Sequence, residues 1–248
     1  MYRTPYLAAL VAVTLLGALS ASADALSDAQ NTIREAWNKV QSVSAKATVA
    51  ATVPTGENRL RLTGEGTVEY LKEGTAGKYR QEIKIVLTDP QPLEMTTTMI
   101  FDGQDLYMTN TVGGTTTTVK DAAGSDPLSP PPGGAPMLDT LEQVATLSLE
   151  SSETVDGKTH YILAGVPKDA ANAAFSRVVL HVDAETGLRV KTEFYESKDV
   201  LTASVVLSDI VLDAGVDAAR FAAPASTAKI TVNPPAATTT ATPGTATP

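Results

Sequence analysis

The chain contains no cysteine among its 248 residues. Disulfide bonds and thiolate metal sites are therefore excluded, and so is the lipid-modified cysteine that tethers a bacterial lipoprotein. Basic side chains are also scarce, with 19 Lys and Arg against 28 Asp and Glu and a formal net charge of −9. Because a nucleic-acid backbone is bound by clustered Lys and Arg, this composition argues against a nucleic-acid partner.

Residues suited to catalysis are few. The two histidines, His160 and His181, lie in segments with a strand pattern, and no Ser sits in a nucleophile elbow. No Gly-rich loop precedes a helix, and no His-x-x-x-His occurs. Acidic pairs flank a turn or end a strand, where carboxylates are ordinarily solvated: Asp183 with Glu185, and Asp209 with Asp213. We therefore expect no enzyme, no cofactor and no metal.

The longest apolar run is short and lies at the N-terminus. Arg3 precedes the apolar stretch Leu7 to Leu19, and A-x-A cleavage sites follow within residues 21–25. A membrane-spanning helix needs about 20 apolar residues, more than this run provides. We predict that residues 1–25 are a signal peptide and that the protein is exported to the periplasm, or, as the alternative, out of the cell.

Alternation of apolar and polar residues is most regular between Arg177 and Leu212. The apolar series Val178, Leu180 and Val182 is followed by a turn at Asp183 to Gly187. Two series of opposite phase then follow, Leu188, Val190, Thr192 and Phe194 against Arg189, Lys191, Glu193 and Tyr195. A third strand runs from Val200 to Leu212. This pattern predicts a three-stranded meander with one apolar face and one charged face.

Similar segments occur along most of the chain. Strands are predicted at Arg59 to Leu71, with bends at Gly64 and Gly66, at Lys78 to Leu87 and at Leu93 to Phe101. A capping box at Ser27 and Gln30 opens a helix to about Val43, and a second helix is predicted from Met137 to Leu147. Asp121 to Pro136 contains five prolines and is predicted to be a loop.

The expected architecture is mainly β, of the α+β kind. It is a half-open antiparallel β-barrel or strongly curved sheet of about eleven strands, with an N-terminal helix and a mid-chain lid helix. The expected domain covers residues 26–225. Residues 226–248 are expected to form a disordered tail rich in Pro, Ala and Thr.

Short motifs resemble the LolA-type outer-membrane lipoprotein carriers and their lipoprotein-sorting relatives. The motifs are Asp183-x-x-Thr186-Gly187-Leu188 between two strands, Val216-Asp217 and Phe221 after the third, and Asp102-Gly103-Gln104-Asp105-Leu106-Tyr107 near mid-chain. The resemblance implies a half-open barrel closed by helices and ligands that are lipids or the acyl chains of lipoproteins. It also implies a membrane-protein donor or acceptor as a candidate partner. We expect a monomer.

The candidate site is the apolar phase of the strands. The residues expected to line a lipid-binding cavity are Leu60, Leu62, Ile83, Ile85, Met95, Met99, Phe101, Val190 and Phe194, with Leu138, Leu141 and Val144 on the lid. Arg59, Arg61, Arg80 and Lys84 have the opposite phase and are expected outside. Two alternatives stay open: the same apolar residues form a closed core, or the protein is a noncatalytic envelope sensor or scaffold that acts through protein contacts.

Overall fold

The segments in which apolar and polar side chains alternate form long β-strands. The structure is a computed structural model, and it describes residues 23–55, 58–74, 77–88, 92–122, 133–171, 173, 175–196, 199–225 and 229–232. Helix α1 covers residues 23–37 and α2 covers Gly134–Val144. The strands are β1 Ser42–Thr55, β2 Asn58–Leu71, β3 Lys78–Leu87, β4 Leu93–Phe101, β5 Asp105–Val112, β6 Thr115–Ala122, β7 Ala145–Val155, β8 Lys158–Pro167, β9 Arg177–Asp183, β10 Arg189–Glu196, β11 Val200–Leu212 and β12 Lys229–Val232. A 3₁₀ helix spans Ala218–Phe221.

All twelve strands belong to one sheet, in the order β12-β6-β5-β4-β3-β2-β1-β11-β10-β9-β8-β7. Two meanders, β1 to β6 and β7 to β11, are joined where β1 pairs with β11. Eleven strands are antiparallel to their neighbours, and β12 adds to β6 in parallel. Among the described strands, β7 and β12 are the edges and do not pair, so the sheet is open. The mainly β, half-open architecture predicted from the sequence is confirmed.

Strand β2 approaches β3 so closely that it requires glycine. A Cβ atom built on Gly66 would collide with the backbone carbonyl oxygen of Glu82 in β3. A Cβ on Gly64 would lie 2.8 Å from the Ile83 side chain. Glycine inside a strand removes this obstacle and is typical of a bent sheet.

Both helices pack on the same face of the sheet, which we call the inner face. Ile33 of α1 and Met137 and Leu138 of α2 are fully buried in one cluster with side chains from β7, β8 and β9. Trp37 at the end of α1 packs with Tyr70, their ring centroids 4.7 Å apart. The helices are also tied to each other, because Arg34 contacts Asp139 at 2.7 Å. No helix in the described part of the chain is long and apolar enough to span a membrane.

The predicted helix boundaries are wrong at all four ends. Ser27, predicted to cap the first helix, lies within α1, which the structure describes from residue 23. Helix α1 ends at residue 37, and Val43 lies in β1 opposite Tyr70. Helix α2 begins at Gly134 and not at Met137, because a proline such as Pro136 is tolerated in the first turn of a helix. Gly134 itself has a positive φ of 61°. It ends at Val144 because Ala145 to Leu147 pair with β8. Sheet pairing thus overrides the helical spacing of these apolar residues.

After β11 the chain crosses the outer face of the sheet. The Asp213 carboxylate accepts hydrogen bonds from the backbone N–H groups of Gln41 and Ser42, at 2.7 and 3.1 Å. Arg220 then donates to Glu69 at 2.7 Å, and Phe221 is buried.

Within residues 226–248, which were expected to form a disordered tail, Lys229–Val232 form β12 on the edge of β6. The Ile-Thr-Val run of this segment is β-branched and favours a strand. Residues 233–248 lie outside the described residues, as do residues 1–22.

Candidate functional site

Two neighbouring rows of apolar side chains cross the inner face, and we call them the apolar trough. Residues directly opposite each other in paired strands share a face, so the strand register defines each row. The first row is Phe194, Ala203, Ala51, Leu62, Leu87 and Leu93, and the second is Thr192, Val205, Val49, Gly64, Ile85 and Met95. The trough therefore continues over six strands, from β10 to β4.

All nine side chains predicted to line a cavity lie on the inner face. Three of them, Ile83, Met99 and Phe101, are buried, and the Tyr79 hydroxyl donates to the Met99 sulfur at 3.7 Å. The other six are half-buried: Leu60, Leu62, Ile85, Met95, Val190 and Phe194. The four basic residues of opposite phase, Arg59, Arg61, Arg80 and Lys84, lie on the outer face.

The half of the inner face beneath α2 is closed. Leu138 and Leu141 are buried against Leu163 and Leu180, and Val144 is half-buried at the end of the helix. Side chains in this half fill a close-packed cluster and leave little room for a ligand. The two alternatives for the apolar face thus both occur, a closed core beneath the helix and a more open trough beyond it.

The open end of the trough exposes apolar surface. Leu93 is 46% exposed, and so is Leu201 of β11, which a register shift in the pairing with β10 places opposite Tyr195. A cleft of about 290 Å³ lies where β1, β2 and β11 meet, and its lining includes Ala51, Leu62 and Ala203 of the trough together with Arg61 and Thr63 of the opposite phase. The two alanines face each other across β1 and β11, and their short side chains leave this space open. A continuous exposed apolar surface of this kind marks a binding site more often than a solvated face.

Arg189 lies on β10 beyond the second row of the trough, and the alternation of the sequence predicted it on the opposite face. A bulge in β10 changes the register between Arg189 and Lys191, so that Arg189 stands opposite the buried Val182 of the inner face. Burial lowers the pKa of the guanidinium to about 10, with the nearby Tyr79 acting in the opposite direction. No ion pair within the described residues includes Arg189. Its only sequence signal is its position between Leu188 and Val190.

The outer face of the second meander carries the ionisable groups. His181 lies 3.1 Å from Glu153 and 3.4 Å from Glu193, and Glu193 also contacts Lys191 at 2.8 Å. Across the described ranges, no group of three or more His, Cys, Asp or Glu side chains is placed to hold a metal ion. The cluster is a network of partly solvated contacts between oppositely charged groups.

One family model, described as "-like: Uncharacterized protein", matches residues 138–219, less than half of the chain. No curated protein matches. Among solved structures, an uncharacterized conserved protein from Thermus thermophilus is 11% identical, with a TM-score of 0.50 over 84% of this chain and 99% of that one. The chain is thus similar in overall fold to that protein.

Two further solved structures match at lower TM-scores. The MucA/MucB complex of Pseudomonas aeruginosa contains a chain with 20% identity and a TM-score of 0.41, covering 80% of this chain and 60% of that one. A putative outer membrane lipoprotein-sorting protein domain from Vibrio parahaemolyticus has 11% identity and a TM-score of 0.36, covering 79% and 94%. Both structures have a low identity to this chain and a low TM-score.

Proposed function

We propose that the protein binds acyl chains of lipids or lipoproteins in the apolar trough and carries them within the bacterial envelope. The observation that supports this most is the first row of the trough, in which each of six strands contributes an apolar side chain that is partly or, for Leu93 at 46%, largely exposed. A protein without an apolar ligand gains nothing by leaving such a surface in water, because burying it is favourable by about 25 cal/mol per Å².

The energetics suit a carrier. An acyl chain of about 15 methylenes gains on the order of 12 kcal/mol when it leaves water for an apolar site. A bilayer offers the same gain, so transfer from membrane to protein is nearly neutral in this respect and needs no exceptional affinity. Met95 and Met108 on the inner face are flexible and polarizable, which lets them repack around chains of different shape.

Export is part of the proposal. Residues 1–25 would be removed as a signal peptide, leaving a mature chain that begins at Asp24 or Leu26. Leu26 packs against the closed cluster beneath the helices, so either cleavage site preserves that contact. Helix α2, which is packed against α1 by Arg34 and Asp139, would be the element that moves when a larger ligand extends beneath it.

The test compares two neighbouring residues of β3. Ile85 is half-buried in the trough, whereas Lys84 is exposed on the outer face beside Glu94, at 2.8 Å. Ile85→Glu would place a carboxylate against hydrocarbon, which costs several kcal/mol unless it is protonated. We expect Ile85→Glu to weaken binding of a fluorescent fatty acid more than about tenfold, and Lys84→Glu to leave it within about twofold, a surface-scale effect.

Native mass spectrometry of protein from bacterial cells is the second readout. Copurified lipid in the wild type, lost in Ile85→Glu, supports the carrier. A wild-type protein that binds no fatty acid and carries no lipid would remove the carrier function and leave the scaffold, which acts through protein contacts, as the remaining function for this fold.

A further inference from the structure

We propose that Arg189 binds the anionic head of the acyl ligand, so that the preferred ligand is a chain with a free carboxylate, such as a fatty acid, bound head inward. This inference rests on the proposed function and adds the ligand class and its orientation. It assigns a binding role to a residue that the alternation of the sequence had placed among solvated charges.

The backbone of β10 brings Arg189 inside. Its bulge places Arg189 opposite Val182, a fully buried residue of β9 whose side chain belongs to the inner core cluster. The neighbours Leu188 and Val190 both pack into the inner face, Leu188 with 1% exposure. Tyr79 of β3, which also lies on the inner face, is close enough to raise the pKa of the Arg189 guanidinium through its charge.

The charge of Arg189 lacks a counterion of its own within the described residues, where no carboxylate lies within ion-pair distance of it. Other basic residues of the sheet have one: Lys191 contacts Glu193 at 2.8 Å, and Lys46 contacts Asp209 at 2.7 Å. The Arg189 side chain is only partly accessible to solvent. A cation that is partly withdrawn from water and has no counterion is unfavourable, and an incoming anion relieves that cost.

The chemistry of this group suits a carboxylate. A guanidinium offers two parallel N–H donors that match the two oxygens of a carboxylate, and such a pair is stronger in a site of low polarity. From Arg189, the strand leads along Val190 and Thr192 to Phe194 in the first row of the trough. At about 3.3 Å per residue, this path is long enough for much of an acyl chain to follow towards the open end.

Binding of palmitic acid and of the matching fatty alcohol tests this assignment. The wild type should bind the acid at least about tenfold more tightly than the alcohol, the scale of a charge-assisted hydrogen bond. Arg189→Met and Arg189→Gln should lose that preference while still binding the alcohol. Arg59→Met removes an exposed arginine from the outer face of β2 and should keep the preference. Thermal melting of each variant reports whether it is folded.

The outcomes separate the two proposals. Equal affinity of the wild type for acid and alcohol would overturn the role of Arg189 and leave the trough as the binding site. Binding of neither would overturn the proposed function itself. A lysophosphatidic acid of the same chain length distinguishes carboxylate from phosphate: if only that lipid depends on Arg189, the assignment of a carboxylate head is wrong.

Discussion

The guanidinium of Arg189 lies on the inner face of the sheet, where burial lowers its pKa to about 10. A lowered pKa means that the folded state disfavours the charged form. At neutral pH the group is still protonated, so the cost of the charge is present there and declines only as the pH rises above the lowered pKa.

Replacing this charge should therefore stabilise the ligand-free protein. We expect Arg189→Met to raise the free energy of unfolding by about 1–3 kcal/mol, because a buried charge is exchanged for an apolar side chain of similar length. Urea denaturation at pH 7 measures the change. A loss of stability would show instead that the folded protein already stabilises the Arg189 charge.

The same residue shows the limit of prediction from sequence. Strict alternation from Val190 to Phe194 placed Arg189 with Lys191 on the charged outer face, and it placed the apolar residues correctly. The bulge that turns Arg189 inward inserts one residue into the pairing with β9. Nothing in the sequence marks this insertion, since a bulge is decided by how the turn and both strands fit together.

At the scale of elements, strands were predicted better than helices. Lys78–Leu87, Leu93–Phe101 and Val200–Leu212 have the predicted bounds, because alternation and turn residues define both ends. Helix α2 was displaced because its start depends on a contact remote in sequence: the backbone N–H of Gly134 donates to the Gly187 carbonyl at 3.1 Å, beneath Trp37.

The close packing of the start of α2 against Trp37 can be tested by substituting two glycines of similar conformation. Gly134 has φ 61° and a Cβ there would collide with the Trp37 ring, whereas Gly113 has φ 56° and nothing within 4 Å. Both glycine-to-alanine changes incur backbone strain of about 1 kcal/mol, but only Gly134→Ala adds overpacking of about 1–3 kcal/mol.

We therefore expect Gly134→Ala to lower the free energy of unfolding clearly more than Gly113→Ala in the same denaturant series. Equal losses in both variants would mean that α2 shifts away from Trp37 without resistance. In that case the helix would be held weakly, and its packing on α1 would contribute little to stability.

At the scale of the molecule, one open sheet serves two purposes. Its inner face is a closed core beneath the helices, in the cluster of Ile33, Leu138 and Leu180, and a half-exposed trough beyond them. The stability of the fold thus comes mainly from the covered half. This arrangement allows the trough to keep apolar surface available for a ligand, because folding does not require that it be filled.

An open sheet also has edges, and β12 covers one of them. Its four residues pair in parallel with Thr117 to Lys120 of β6. Unpaired edge groups are a template for association with another chain, and a short added strand removes part of that template.

Removing the chain from residue 234 onward should leave the melting temperature within about two degrees, since that segment holds only Pro, Ala, Thr and Gly.

Removing residues 226–248 should have a larger effect, because β12 is lost as well. A few hydrogen bonds with a net value of about 1 kcal/mol each correspond to a fall of several degrees in melting temperature for a domain of this size. Light scattering of the same variant should show association that increases with concentration, because the edge of β6 is then free to pair. If both truncated proteins have the melting temperature of the wild type and show no association by light scattering, the pairing of β12 does not contribute to stability. Residues up to 225 are then sufficient for the folded domain.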